Sequence, residues 1–268
     1  MVGAWARELA HGVLDLVFAP VCVACGAPIS PALAERLVCG RCWARCRAIP
    51  LPRCRRCWHP LRPTAEHGAR CSECETLPPA LRVVRSAFVL SDTTRALVHA
   101  LKYRGWHALG HAMGQRLARV DVPPDVREEV RLAVSVPIGS TRRRERGYNQ
   151  AERLAAGVAD QLGLVLRPSL LRRTRSTGSQ TSLHPTERRA NVAGAFRVDA
   201  GEQRSIEGEH LLLIDDVWTT GATALACTDA LLASGARAVS VFTFARALPV
   251  LERAASAATR VAVERYGS

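Results

Sequence analysis

Residues 211–223 read LLLIDDVWTTGAT. Two adjacent carboxylates, Asp215 and Asp216, are followed at once by Thr219, Thr220, Gly221, Ala222 and Thr223. Threonine hydroxyls and the backbone N–H groups at a helix start can cradle an anion. Gly221 lets the chain approach that anion closely. The two aspartates would repel it. An ordinary helix cap after a buried strand, with both acids solvated, uses the same residue types. The length of the combined pattern favours the phosphate cradle.

A second set of residues has metal chemistry. Eight of the ten cysteines form four C-x-x-C pairs: Cys22/Cys25, Cys39/Cys42, Cys54/Cys57 and Cys71/Cys74. Each cysteine of the first four recurs 32 positions later, so the segment is an internal duplication. A C-x-x-C turn aims two thiolates at one ion, and two such turns complete a tetrahedral S4 site suited to Zn2+. Two structural zinc sites are therefore expected. Sequential pairing of the turns is the expected arrangement, although spacing alone also permits a crossed one. Cys46 and Cys227 are left over and read as small buried residues.

The rest of the composition bounds the class. The chain has 268 residues, a formal charge of +13 and 48% hydrophobic residues, enough for a real core. Eight thiolates and two zinc ions would lower the net charge to about +9. Of the 37 basic residues, Lys102 is the single lysine. The N-terminal stretch WARELAHGVLDLVFAP has helical spacing but carries Arg7, Glu8, His11 and Asp15, unlike a signal peptide. No run of 18 apolar residues predicts a membrane span. The expected compartment is cytoplasmic, where clustered cysteines argue for metal over disulfides.

The elements that must position these residues follow from periodicity. Beyond Leu77-Pro78-Pro79, apolar runs at 86–90, 132–136, 211–214 and 238–244 alternate with helical patterns at about 92–117, 149–162 and up to 233. That alternation predicts an α/β fold with a mostly parallel sheet flanked by helices. Ligands in such sheets sit beyond the strands' carboxyl ends. Three loops are thereby picked out: 137–149, the segment after Leu171, and 215–223. The expected organisation is a cysteine-rich segment over 1–80, with an N-terminal helix, and an α/β segment over 81–268.

LLLIDDVWTTGAT resembles the phosphoribosyl-pyrophosphate (PRPP) motif of type I phosphoribosyltransferases. The resemblance implies that Asp215 and Asp216 hold ribose hydroxyls and act as the catalytic acids. It also implies that Thr219, Thr220, Gly221, Ala222 and Thr223 hold the 5′-phosphate. The stretches LKYRG (101–105), VPIGSTRRRERGYNQAERLA (136–155) and SQTSLHPTERRANVAGAF (179–196), together with the duplicated cysteine turns, resemble the competence-associated ComF family. That family implies a type I phosphoribosyltransferase-like domain joined to a small N-terminal double zinc ribbon, and a link to DNA uptake.

Arg142, Arg143, Arg144 and Arg146 follow a strand end, and 142–189 carries 11 Arg against 4 acids. One explanation is local. Pro137, Ile138, Gly139, Arg142, Arg146 and Asn149 are placed like the family's pyrophosphate loop, and Arg there would stabilise a leaving anion. Mg2+ would bridge pyrophosphate and ribose oxygens. Residues 176–191 read as a lid over the cleft. Lys102 and Tyr103 either face the same cleft or end a solvated helix. The other explanation is single-stranded DNA, which basic grooves with aromatic platforms bind. The expected function is PRPP binding, with transfer of phosphoribose and release of pyrophosphate if active. The alternative is a non-catalytic accessory of DNA uptake that holds PRPP, a nucleotide or single-stranded DNA alongside DNA-processing proteins.

Overall fold

The computed structural model describes residues 20–30, 37–66, 68–175 and 192–248. The expected N-terminal helix and the expected lid at 176–191 lie outside the described residues.

The 32-residue duplication is written into the backbone hydrogen bonds. Cys22 N–H donates to Ala27 O at 2.8 Å, and Cys54 N–H to His59 O at 2.8 Å. Val23 N–H donates to Leu37 O, as Arg55 N–H does to Ala69 O. Cys39 N–H points at Cys22 Sγ (3.4 Å), and Cys71 N–H at Cys54 Sγ (3.3 Å). The second C-x-x-C turn of each unit opens a short helix, α1 (Gly40–Ala44) in the first and a 3-10 turn (Ser72–Thr76) in the second. One position departs from the repeat. Gly26 takes a left-handed conformation (φ 72°), and its counterpart is Trp58 at φ 58°. A non-glycine residue there costs about 1–2 kcal/mol. The Trp58 ring is buried under the Arg53 guanidinium at 3.5 Å, which holds it in place.

The larger body is a five-stranded sheet, every pairing in it parallel. β1 (Leu81–Val89), β2 (Leu132–Ser135), β3 (Val165–Leu166), β6 (His210–Trp218) and β7 (Ala238–Arg246) lie in the order β1-β7-β6-β2-β3. From β2 the chain moves one way, to β3; from β6 it moves the other way, to β7. That reversal makes the carboxyl ends of β2 and β6 a topological switch point. A small antiparallel pair, β4 (Leu171–Arg173) with β5 (Phe196–Val198), lies apart from the main sheet.

Helices α2 (Asp92–Tyr103), α3 (His107–Leu117), α4 (Pro124–Glu129), α5 (Ser140–Arg146), α6 (Gln150–Leu162) and α7 (Ala222–Ala233) complete the body. The basic stretch expected as a loop at 137–149 is half helix, because α5 forms there although it buries none of its residues. Glycine brings α3 and α6 together. A Cβ on Gly114 would stand 2.2 Å from Leu154 O, and one on Gly157 would stand 2.1 Å from His111 O. Asn149 caps α6, accepting from Ala151 N–H while its own amide donates to Val136 O.

The cysteine-rich segment shares its core with the sheet. Trp43 packs edge-on against Phe244 of β7 at 6.4 Å. Val84 N–H donates to Arg56 O, and Val89 N–H to Arg47 O. Buried Arg85 donates back to the carbonyls of Arg55 and Arg56. Trp43 and Trp58 lie between the cysteine turns and the body, Trp43 against Phe244 and Trp58 beneath Arg85.

The α3–α6 contact gives a stability test. Gly157→Ala forces a methyl into the His111 carbonyl, and it should lower unfolding free energy by about 1–3 kcal/mol in urea denaturation.

Candidate functional site: a phosphate-loop cleft above two four-cysteine centres

The four cysteines of each unit converge. Cys22, Cys25, Cys39 and Cys42 form one group, and Cys54, Cys57, Cys71 and Cys74 the other, with all ligand atoms of a group within 4.8 Å of one another. Within them, Cys25–Cys39 sulfurs are 3.8 Å apart, Cys57–Cys71 3.4 Å and Cys54–Cys74 3.5 Å. A tetrahedral Zn–S4 centre has sulfur separations of about 3.8 Å, from Zn–S bonds of about 2.3 Å. A disulfide would need about 2.05 Å. These are two structural zinc sites, and the sequential pairing holds. Cys46 and Cys227 stand outside both groups and are buried. Burial raises the Cys46 thiol to about 11 and the Cys227 thiol well above its ordinary value.

The cleft of about 370 Å³ lies at the switch point. Its walls include Pro137, Ile138, Arg142, Arg146, Lys102, Asp215, Asp216, Thr219, Gly221, Ala222 and Thr223. Asn149, Gly139 and Thr220 are not on its surface: Asn149 is a buried cap, Gly139 precedes α5, and Thr220 Oγ1 accepts from Ala222 N–H at 3.4 Å. The cleft also holds Tyr103, Gln150, Arg173 and Thr243. Of these, Gln150 and Thr243 carried no signal in the sequence. Gln150 is there because its side-chain oxygen takes an Arg146 N–H at 2.9 Å. Arg173 comes from β4, in the segment after Leu171, where a functional loop was expected.

The paired acids lie inside β6, not in a loop beyond it. β7 continues far enough to pair Asp215 with Thr243 and Trp218 with Arg246, so the strand runs on through the acids. Strand geometry sends neighbouring side chains to opposite faces. Asp216 Oδ2 meets Lys102 Nζ of α2 at 2.6 Å. Asp215 faces the other side, where its charge acts on Cys227 of α7. Its Oδ1 accepts from Asp216 N–H at 2.8 Å. Burial, with Asp216 nearby, pushes the Asp215 carboxyl up to about 7. Lys102 therefore faces the cleft, which resolves the choice between cleft and solvated helix end.

The segment expected to cradle phosphate is the turn between β6 and α7. Gly221 has φ 75°, and a Cβ on it would stand 2.3 Å from the Trp218 ring. Only glycine fits both demands. Trp218 is buried, with 6% of its surface accessible. The first N–H groups of α7 have no partner within the helix, and that of Ala222 donates to Thr220 Oγ1. Arg142, Arg146 and Arg173 line the same cleft. Burial, then repulsion from Arg142, holds the Arg173 guanidinium below its ordinary range.

A second polar constellation lies at the other end of the strands. His210 Nδ1 is 2.8 Å from Glu129 Oε2, and Nε2 is 2.9 Å from Ser240 Oγ. It has the order of a hydrolase triad. Ser240 is fully buried, however, and His210 is 1% exposed, so no substrate reaches the hydroxyl. This set ties β6, β7 and α4 together.

Two four-cysteine zinc centres packed on a parallel sheet with an Asp-Asp strand and a phosphate-type turn define the class. A double zinc ribbon domain family matches residues 13–75. The chain is 29% identical over 231 residues to DNA utilization protein YhgH of Salmonella typhimurium, covering 85% of this chain and 97% of that one. Competence protein ComFC of Bacillus subtilis is 29% identical, covering 79% and 85%. Competence protein F of Haemophilus influenzae is 23% identical, covering 80% and 93%. Over most of its length the chain is similar to these competence and DNA utilization proteins. Among solved structures, the glutamine PRPP amidotransferase of B. subtilis complexed with ADP and GMP aligns with 50% of this chain at a TM-score of 0.34 and 21% identity. The chain spans 26% of that structure, and the likeness adds nothing to the fold seen directly. No helix among the described residues is long and apolar enough to cross a membrane.

The metal geometry sets a measurable expectation. The purified chain should carry two zinc ions by elemental analysis, and Cys57→Ser should carry one and melt at a lower temperature.

Proposed function

We propose that this protein binds PRPP in the switch-point cleft. The observation that carries the reading is the joining, in one cavity, of Asp215, Asp216, the turn 219–223 and a facing set of cations. The conflict between carboxylates and phosphate then disappears. The acids accept from the ribose hydroxyls, and the turn donates to the 5′-phosphate. Lys102 orients Asp216 until the ligand arrives. Arg142, Arg146 and Arg173 face the pyrophosphate. Mg2+ would be held by the ligand's own phosphates, which it prefers to an all-protein cage. Asp216 is in any case already paired with Lys102.

Bound this way, the ligand is set up for transfer of phosphoribose to an acceptor, with pyrophosphate leaving toward the arginines. Asp215 and Asp216 would then steady the ribose as positive charge develops on it. Incubation with Mg-PRPP and a panel of bases, followed by a pyrophosphate assay, tests turnover.

A second reading, single-stranded DNA binding, is favoured by one observation. Exposed Tyr103 (64%) lies beneath Arg146 of α5, 4.8 Å from ring centre to guanidinium, and exposed Trp106 (39%) follows three residues on in the chain. Bases stack on such platforms while the arginines meet the backbone. The names of two relatives, DNA utilization protein and competence protein, fit this reading as well.

Calorimetry with Mg-PRPP should give saturable heat for the wild type, and roughly tenfold or weaker affinity for Asp215→Asn with Asp216→Asn. Affinity should rise as pH climbs through about 7, where Asp215 ionises and becomes the stronger acceptor. Asp215→Asn alone should flatten that rise. Arg143 and Arg144 do not line the cleft. Replacing both with Ala should weaken single-strand binding and lower its salt slope by about 1.4, leaving Mg-PRPP affinity unchanged.

A further inference from the structure

The second zinc centre reaches the phosphate turn through one side chain. Arg246 ends β7, is 2% exposed, and donates from Nη2 to the Cys57 carbonyl at 2.6 Å. In the parallel ladder it stands beside Trp218, and its guanidinium lies 5.3 Å from the centre of the Trp218 ring. The next residue, Ala247, donates its N–H to Trp218 O at 2.9 Å. That indole in turn occupies the space a side chain on Gly221 would need. So zinc ligand, arginine, tryptophan and phosphate turn form one contiguous stack.

Charge gives the stack its dependence on metal. Four thiolates around Zn2+ carry a net charge of −2. Two buried arginines adjoin this centre, Arg246 and Arg85, and together they carry +2. Their hydrogen bonds go to carbonyls: Cys57 for Arg246, and Arg55, Arg56, Val84 and Asp121 for Arg85. Asp121 also acts on Arg85, whereas Arg246 has the thiolates of this centre and the exposed carboxylate of Glu73. Loss of zinc with protonation of the thiols would leave buried Arg246 with Glu73 alone as counter-charge, which is unfavourable. Arg246 would then leave its place, and Trp218 would lose its support.

We propose that Arg246 is a positioning residue that couples zinc at Cys54, Cys57, Cys71 and Cys74 to the shape of the phosphate turn, so that ligand affinity depends on occupancy of the second zinc site and not the first. The proposal rests on the ligand reading given above. Coupling between sites is reciprocal, so bound ligand must also retain that zinc.

The test measures zinc release to a chelator, with and without saturating Mg-PRPP. Cys25→Ser disables the first site, so its remaining zinc reports the second. The expected result is that Mg-PRPP retains one of the two zinc ions in the wild type, and the single zinc of Cys25→Ser. Arg246→Met should keep both zinc ions, lose this protection, and bind Mg-PRPP about tenfold more weakly, a typical size for inter-site coupling. Protection of both ions or of neither would overturn the proposal, as would wild-type affinity in Arg246→Met. If the Met variant does not fold, Arg246→Lys replaces it; weakened protection supports the coupling, and full protection overturns it. If wild-type protein gives no heat with Mg-PRPP, the ligand reading fails separately. The coupling is then read from amide exchange over 219–224, expected to quicken in the Arg246 variant; unchanged exchange refutes it.

Discussion

The pairing of β6 with β7 is the interaction on which the rest of the molecule depends. It runs from His210 with Ala238 to Trp218 with Arg246, and so outlasts the β2–β6 pairing, which ends at Ser135 with Ile214. Those last few rungs carry the acids past the edge of the neighbouring strand. One face of the acid pair then meets Lys102 and the other meets the buried side of α7. Had β6 ended at Ile214, both acids would lie in a turn, and their opposite orientation would not be imposed. The same rungs seat Trp218 under the phosphate turn and Arg246 under the second zinc centre.

Charge balance follows from that arrangement. The body buries Arg85 and Arg246, with Asp121 acting on the first and Glu73 on the second. The thiolates of the second centre add negative charge beside both. This gives the ribbon a role in the body beyond its own folding. Its second unit packs against β1 and β7, where the carbonyls of Arg55, Arg56 and Cys57 accept from Arg85 and Arg246. The strained backbone of Trp58 belongs to this interface: glycine would suit the turn better, but the indole fills the space between the ribbon and the arginines.

The cleft has a matching division of labour. Its floor is strand, and its phosphate turn is fixed by a glycine pressed against an indole. Its opposite wall is α5, a helix with no buried residue and four arginines. The wall is held by its neighbours, through Arg146 to Gln150 and through the cap at Asn149, not by a core of its own. A rigid floor facing a lightly anchored basic wall suits a ligand with one fixed end and one departing anionic end.

The sequence by itself determined the eight zinc ligands, their duplication, the alternation of strands and helices, and the Asp-Asp-turn pattern. Each of these is local: C-x-x-C spacing, apolar periodicity and glycine chemistry act over a few residues. Only the tertiary structure decided that the cysteine turns pair sequentially, that β6 continues through Asp215 and Asp216, and that Lys102 faces Asp216. The placing of Gln150, Arg173 and Thr243 in the cleft, and the exclusion of Asn149, belong there too. These depend on strand order and ladder length, which join residues far apart in the chain. Trp218 shows the difference most clearly. Read along the sequence it is an aromatic beside a loop; folded, it is buried between Gly221 and Arg246, because β7 supplies the partner that its neighbours in sequence do not.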